Sequence, residues 1–462
     1  MKKCTLLTLA LAVFFFLTVF PLAAEEEGSG PDFGLGLVIG AQTFLDETTG
    51  ESITYQELAL SPDFAIGKFG IALDLTLHYR FTGDQESAVD IRREDWVPSA
   101  AGVGFLDLYL PKFRYVRYGT KGEPLFVKLG AIDDATLGTG FIMGGYDNTL
   151  FRPEEPVFGM NFDLDGNLFS FPYVGIETFF GNLTSFDVFG ARLLGRPLIW
   201  SSIPILKNLE IGFTVAGDVA PEVRESYWTP ADTLITETDP SIVIWGVDLI
   251  QPILSSPVFS LAAFGAVAVE KEASGGMIGF GGKVFSFLPY GFQLRFLGEN
   301  FLPAYFDSTY DLTRGMRYVV VNGEAGTAIE SSVGWLFSTG LSFFDDQLVF
   351  NANVDGPFEP IPEIPTESYA DYPHLYMALK VAEGLIPGFF FNATYDKKFI
   401  TSFADLIDPA DAVIGASINY QTGPAVITLS YDLKYNPAFD PDDPESKRFT
   451  TTAKLSSSIS MF

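Results

Sequence analysis

Apolar and polar residues alternate along much of this chain with the two-residue period of a β-strand. In residues 69–81 one face carries Phe69, Ile71, Leu73, Leu75, Leu77, Tyr79 and Phe81, and the other carries Gly70, Ala72, Asp74, Thr76, His78 and Arg80. This segment is longer than most strands of soluble sheets, whereas a tilted strand that crosses hydrocarbon needs about 9–11 residues. The pattern therefore predicts a membrane-crossing strand that ends in an aromatic girdle.

The same alternation recurs and predicts a transmembrane antiparallel β-barrel of about twenty strands, with eighteen as the alternative count. We expect the strands to begin near residues 33, 52, 69, 103, 125, 157, 173, 186, 209, 241, 259, 276, 291, 332, 347, 375, 388, 412, 425 and 448. Connections after even-numbered strands are mostly short, and the longest ones follow odd-numbered strands. A barrel with short periplasmic turns and long outer loops has this asymmetry, and a soluble sandwich has no reason for it.

The first 24 residues have the features of a secretory signal peptide. Two lysines precede an apolar run that ends at Phe20, and Ala24 is the small residue before the predicted cleavage point. We expect residues 25–462 to form a single barrel domain, because no linker or change of composition divides them. Cleavage removes Cys4, the only cysteine, and with it any disulfide or thiolate chemistry.

Charge and hydropathy narrow the classes of function. The chain has 58 acidic and 28 basic residues, a formal net charge of −30. It is therefore not expected to bind nucleic acid, whose phosphates require a basic surface. After residue 24 no apolar stretch is long enough to cross a bilayer as a helix. The apolar residues are spread at strand period instead, which leaves a barrel as the way to cross.

In a closed barrel the apolar face of each strand contacts lipid and the other face lines the lumen. Charges of both signs on that inner face favour a hydrated lumen, because charge is costly to bury in a dry interior. Barrels of 16–18 strands already contain an aqueous channel. The predicted pore-lining residues are Asp74, His78, Arg80, Lys128, Asn161, Asp163, Glu210, Arg295, Asn351, Asn353 and Asp432.

The third outer connection, residues 132–156, is rich in glycine and carries Asp133, Asp134 and Asp147. If it folds into the barrel, it narrows the pore and brings carboxylates to the ion path, where such groups set ion preference. The alternative is an external loop that covers the mouth. The position of this connection therefore decides whether these residues form a constriction.

With its alternating strands, its loop asymmetry and the terminal Phe462, the chain resembles bacterial outer-membrane porins. The resemblance is architectural and implies passive diffusion of ions and small polar solutes. In general porins the third outer loop is an acidic constriction, which implies that role, by position alone, for Asp133, Asp134 and Asp147. The resemblance also implies outer-membrane lipid and the barrel assembly machinery as partners, the latter through the C-terminal strand, and leaves a homo-oligomer open.

Two alternatives to the channel fit the same architecture. One is a transporter of hydrophobic compounds, and the other is a surface binding or adhesion barrel with long outer loops. An enzyme is not expected, because the only histidines, His78 and His374, belong to no recognisable Ser-His-acid arrangement. We predict no cofactor or metal. The leading hypothesis is a porin-like channel with a modest cation preference, since acidic outer loops concentrate cations at the mouth.

Overall fold

The computed structural model describes residues 32–45, 52–81, 89–151, 157–221, 240–285, 287–323, 329–344, 346–360, 372–423, 425–436 and 448–460. The predicted signal peptide, Phe462 and parts of several connections lie outside these ranges. Among the residues described, no helix is long and apolar enough to cross a membrane.

The strands are β1 (Asp32–Leu45), β2 (Ser52–Ile66), β3 (Phe69–Leu73), β4 (Leu75–Phe81), β5 (Val89–Ile91), β6 (Phe113–Tyr118), β7 (Leu125–Gly130), β8 (Gly159–Asp165), β9 (Val174–Phe180), β10 (Val188–Gly195), β11 (Glu210–Asp218), β12 (Ile242–Ser255), β13 (Ser260–Glu270), β14 (Ala273–Val284), β15 (Leu288–Leu297), β16 (Ser332–Phe343), β17 (Leu348–Pro357), β18 (His374–Ile386), β19 (Phe389–Lys397), β20 (Ala412–Thr422), β21 (Ala425–Tyr435) and β22 (Phe449–Ser460). The α-helices are α1 (Pro98–Ala101), α2 (Phe105–Tyr109) and α3 (Tyr310–Val321), and 3₁₀ turns lie at Arg93–Asp95, Leu110–Lys112, Gly166–Phe169, Leu206–Asn208 and Phe403–Ile407.

The sheet closes on itself as an antiparallel barrel. β1 pairs with β22 from Gly36 opposite Ser460 to Ala41 opposite Leu455. β3 and β4 are one crossing interrupted at Asp74, and β5 is a short addition that pairs with β4. The 22 strand segments therefore make 20 crossings, and the predicted twenty-strand barrel is confirmed.

The two faces of the wall differ as the alternation predicts. On β12 Trp245 is 45% exposed and Val243 is 51% exposed, whereas Ile244 between them is fully buried. In hydrocarbon every backbone donor and acceptor must be paired internally, and a sheet achieves this only by closing. A closed barrel with a continuous apolar outer face is therefore built to lie in lipid.

The fourth crossing corrects one prediction, because no strand begins near residue 103. Residues 98–109 form α1 and α2 instead, and β6 begins at Phe113. Gly102 ends α1 with a φ of 72°, and the amide of Gly104 donates to Asp107 Oδ2 (3.1 Å) at the start of α2. Pro111 has no N–H to offer a strand ladder. Local turn and helix signals therefore outweigh the apolar alternation here.

Two outer connections fold inward and pack on each other. We call residues 131–151 the inserted loop and residues 298–323, which contain α3, the inserted helical segment. Their backbones bond directly, since Phe306 N donates to Ile142 O (3.1 Å) and Gly144 N donates to Phe306 O (2.9 Å). Their side chains form a buried apolar cluster with wall residues of β9 to β14. The hydrophobic core of this protein therefore lies inside the barrel.

Candidate functional site: the barrel lumen

One half of the lumen is filled. The inner-face residues Ala216, Ile242, Ile244, Ala268 and Met277 of β11 to β14 are all buried in the apolar cluster with the two inserted segments. Aliphatic wall residues of this kind cannot line a water-filled channel without a cost in free energy. On this side the barrel wall and the inserted segments form a packed protein interior.

On the opposite side of the barrel, part of the inner face remains accessible. Asn351, Lys380, Asn392, Thr394 and Asp432 on β17 to β21 are exposed, although they share the inner face of the wall. That face is identified on β19 by Asp396, which accepts from the hydroxyl of Ser308 in the inserted helical segment (2.9 Å). In a closed barrel, accessible side chains on the inner face border a space that water can enter. We call this surface the polar half of the lumen.

The predicted pore-lining residues divide between these environments. Asn351 and Asp432 are exposed in the polar half, and Asn353 beside them is half-buried. The others lie mostly in local pairs, namely Asp74 with Thr76, His78 with Asp95, Arg80 with Asp90, Lys128 with Asp133, Glu210 with Arg192 and Arg295 with Asp355. Asn161 is 4% exposed and Asp163 is half-buried. The structure therefore does not bring the predicted residues together as one ring.

A buried ion cluster that sequence reasoning missed centres on Arg192 of β10, which is 1% exposed. Its guanidinium donates to both oxygens of Asp248 (2.6 and 2.9 Å), to Glu210 (3.0 Å) and to Glu177 (3.3 Å). The carboxylates come from β9, β11 and β12, so one cation ties four neighbouring strands together. In the sequence this cluster is indicated by Arg192, a single arginine at an inner position of an apolar strand.

The inserted loop lies directly on this cluster. The amide of Gly138 donates to Glu177 Oε2 (3.3 Å), and Thr136 O accepts from Lys121 Nζ (3.2 Å). Gly138 has a φ of +55°, and a Cβ at this position would lie 2.6 Å from Arg192 Nε and 2.8 Å from Asp248 Oδ2. Only glycine therefore fits where the loop meets the wall.

Gly138→Ala is expected to destabilise the packing of the inserted loop against the barrel wall. Overlap of the alanine methyl group with Arg192 costs about 1–3 kcal/mol, in addition to the cost of about 1–2 kcal/mol that any side chain incurs at positive φ. Gly145→Ala is the matched control, since Gly145 lies in the same loop at φ +72° with no atom within 4 Å of its would-be Cβ. Denaturant unfolding of both refolded variants measures the difference, and equal stabilities would show that the loop does not press on Arg192.

The three candidate constriction residues lie in the inserted loop but in different environments. Asp133 is exposed and pairs with Lys128 (3.2 Å), and Asp134 accepts from the hydroxyl of Thr136 (3.0 Å). Burial raises the pKa of Asp147 to about 6, although its carboxylate accepts two hydrogen bonds from Thr149. At the end of the loop, the Phe151 ring lies 4.8 Å from Lys434 Nζ of β21, so the loop reaches the polar half of the lumen. Residues 152–156 of the predicted loop lie outside the described ranges.

α3 is anchored to the wall at two places. Arg314, 3% exposed, donates to Asp218 at the outer end of β11 (2.6 Å) and to Asp187 (3.2 Å). Arg317 binds Asp307, which also lies 3.5 Å from Lys398 beyond β19. Burial opposes ionisation of Asp307, but the two cations hold its pKa well below the ordinary value. The inserted helical segment therefore extends across the outer end of the lumen.

Comparisons with known proteins give a match at the level of solved structures. No protein-family model and no curated protein matches the chain. The outer membrane protein OprD of Pseudomonas aeruginosa is 9% identical with a TM-score of 0.33, covering 95% of this chain and 96% of that one. OccAB4 of Acinetobacter baumannii is 10% identical with a TM-score of 0.32, covering 95% and 99%. A porin mutant of Rh. blastica is 11% identical with a TM-score of 0.27, covering 93% and 100%.

Similarities this low do not indicate a function. The architecture is established by the strand pairing of this chain itself. A closed antiparallel barrel of 20 crossings, apolar outside and partly polar inside, is an outer-membrane β-barrel of porin-like form. The protein is therefore located in the bacterial outer membrane. Within the described ranges, no three or more His, Cys, Asp or Glu side chains are grouped to hold a metal ion.

Proposed function

We propose that this protein is a porin-like channel through which ions and small polar solutes diffuse passively. The observation that carries the proposal is the polar half of the lumen, where Asn351, Lys380, Asn392 and Asp432 stay accessible inside a closed wall. Diffusion through such a space requires no cofactor and no covalent step. The inserted segments confine the path to that half and so limit the size of the solute.

We also propose a modest preference for cations. The inserted loop carries Asp133, Asp134 and Asp147, of which Asp134 and Asp147 interact electrostatically with Tyr376 of β18, and the whole chain has a formal charge of −30. Negative potential at the mouth and along the wall concentrates cations. Lys380 on the inner face acts against this effect, which keeps the expected preference small. Association into oligomers, residues 25–462 as one domain, and assembly through the strand leading to Phe462 belong to the same proposal.

Planar bilayers provide the direct test. Residues 25–462 would be refolded, shown to migrate as a heat-modifiable barrel, and recorded as single channels across a potassium chloride gradient. Stable ohmic steps with a reversal potential displaced toward that of potassium are the expected result. A folded barrel that stays silent would contradict the proposal and favour the transporter of hydrophobic compounds or the binding barrel. A reversal potential on the chloride side would contradict the cation preference alone.

The cation preference should fall as the pH is lowered through about 6. With a folded-state pKa near that value, Asp147 is mainly a carboxylate at neutral pH and mainly protonated near pH 5. Because this pKa is raised, the folded protein holds the proton more tightly than the unfolded chain, and the same group makes folding less stable as the pH rises from about 4 to 6. Reversal potentials recorded over this range measure the effect.

Two variants of the inserted loop separate Asp147 from the general acidity of the lumen. Asp147→Asn should show the reduced cation preference at every pH, and its reversal potential should not change near pH 6. Asp133→Asn removes an exposed carboxylate from the same loop and should leave the step in place. A step that persists in Asp147→Asn would assign the titration to another group.

A further inference from the structure

The connection between β19 and β20 carries two large apolar side chains that the rest of the chain leaves uncovered. Phe403 is 92% exposed and Ile407 is 89% exposed, the highest values for large apolar residues in the described ranges. They stand at the two ends of the 3₁₀ turn Phe403–Ile407. Apolar surface is unfavourable in water, so the place of this turn relative to the membrane decides what covers them.

The turn lies against the lipid-facing side of the barrel wall. On β19 Asp396 faces the lumen, where it bonds the inserted helical segment, so its neighbours Tyr395 and Lys397 belong to the opposite face. The hydroxyl of Tyr395 donates to Leu406 O (2.9 Å), and Lys397 Nζ donates to Ala410 O. Two outward-facing side chains therefore hold the connection against the outside of the wall.

The strands beside the turn present apolar side chains on the same face. Tyr395 is the cross-strand partner of Ile414 on β20. Ile418 and Tyr420, which have the same parity on that strand, are 53% and 44% exposed. The ring of Phe389, at the other end of β19, packs on that of Tyr420 at 4.8 Å. The turn therefore extends the apolar outer surface of the barrel at its outer edge.

The carboxylates of this connection are bound by its own backbone. Asp405 accepts from the amides of Thr401 (2.7 Å) and Ser402 (2.8 Å). Asp408 accepts from the amide of Ala410 (3.0 Å). These bonds turn the charged groups back on the chain and leave the two large apolar side chains as its most exposed part.

We propose that Phe403 and Ile407 insert among the acyl chains of outer-leaflet lipid and anchor the β19–β20 connection to the membrane. The surface that they extend is the lipid-facing wall, so the same lipid layer lies beside them. Two side chains on a five-residue turn cover far less than the roughly 800 Å² per partner of a stable protein interface, whereas acyl chains require no complementary surface. Apolar side chains at this boundary enter to about 5–10 Å.

Spin labelling in vesicles tests the depth of both side chains. Residues 25–462 contain no cysteine, so Phe403→Cys and Ile407→Cys each carry a single nitroxide label in a barrel refolded into phosphatidylcholine vesicles. Oxygen concentrates in hydrocarbon and a nickel chelate stays in water, so the ratio of their collision rates with the label reports its depth. Ile418→Cys gives the value for the lipid-facing wall.

Glu272→Cys is the matched control, because Glu272 is an exposed polar residue in the short connection between β13 and β14. The oxygen-to-nickel ratio at residues 403 and 407 should be at least about threefold that at residue 272 and close to that at residue 418, as insertion into the acyl boundary requires. Each labelled barrel is first shown to fold by its heat-modifiable migration.

Ratios at residues 403 and 407 equal to that at residue 272 would overturn the inference. Dipolar broadening between labels on different chains, with little contact with oxygen, would also overturn it and assign the turn to an interface between copies of the chain. If one of the two variants fails to fold, the other still decides, since both side chains are assigned to the same layer. The measurement involves no conductance, so a silent barrel would contradict the channel proposal and leave this inference unaffected.

Discussion

Arg192→Met is expected to destabilise the folded barrel by about 3–5 kcal/mol, the usual effect of removing one partner from a buried ion pair. The substitution leaves Asp248, Glu210 and Glu177 facing one another around an apolar side chain. Their repulsion acts on β9, β11 and β12, directly beneath the inserted loop. We therefore expect a lower denaturant midpoint and an earlier loss of heat-modifiable migration.

Arg114→Met is the matched control for this prediction. Arg114 pairs with Asp63 (2.7 Å), but the two side chains are 44% and 33% exposed. Exposed pairs contribute only about 0–1 kcal/mol, so this variant should unfold close to the wild type. Adding Asp248→Asn to Arg192→Met should recover part of the loss. If Arg192→Met is no less stable than Arg114→Met, the buried cluster does not stabilise the wall.

Replacing residues 299–330 by a four-residue turn is expected to raise the single-channel conductance at least about twofold, because conductance grows with the open cross-section of a barrel. The splice is geometrically simple, since Leu297 and Ser332 are already paired across β15 and β16. It removes α3 and all the contacts by which the inserted helical segment crosses the outer end of the lumen. Bilayer recordings under the same salt gradient measure the change.

Arg314→Met tests the same idea without a deletion. It removes the anchor on Asp218 and Asp187 and should give noisier channels of conductance between those of the wild type and the deletion. A folded deletion variant with unchanged conductance would show that α3 lies outside the conducting path. That result would not contradict the channel proposal. It would mean that the conducting path does not pass the inserted helical segment.

The strands were predictable because alternation is a local property of the chain. The regular spacing of apolar residues on β12, β17 and β21 is enforced by lipid on one side of the wall, whatever the distant residues are. The exception at residues 98–112 has a local cause as well, since Gly102, Gly104 and Pro111 favour turns. Weighing those residues against the alternation would have moved the start of the fourth crossing.

The inserted helical segment was missed although it left a signal. Its sequence contains apolar residues such as Phe301, Tyr305 and Phe306 in one of the long connections after odd-numbered strands, which the loop asymmetry assigns to outer loops. Residues of that type in a solvated loop are unusual, and here they are buried against the wall. What the sequence alone could not supply is their destination, because it depends on the inner faces of strands that are far away along the chain.

From its own residue order, the chain determined the closed barrel, the number of crossings, the lipid-facing surface and the parity of the inner positions. Each of these follows from period-two alternation and connection length, which neighbouring residues set. Only the tertiary structure decided that half of the lumen is packed and that Arg192 gathers carboxylates from three other strands. Those contacts depend on strand register and on the insertion of loops into the barrel. Alternation along the sequence predicts the face of the wall on which a side chain lies, but not its contact partner across the barrel.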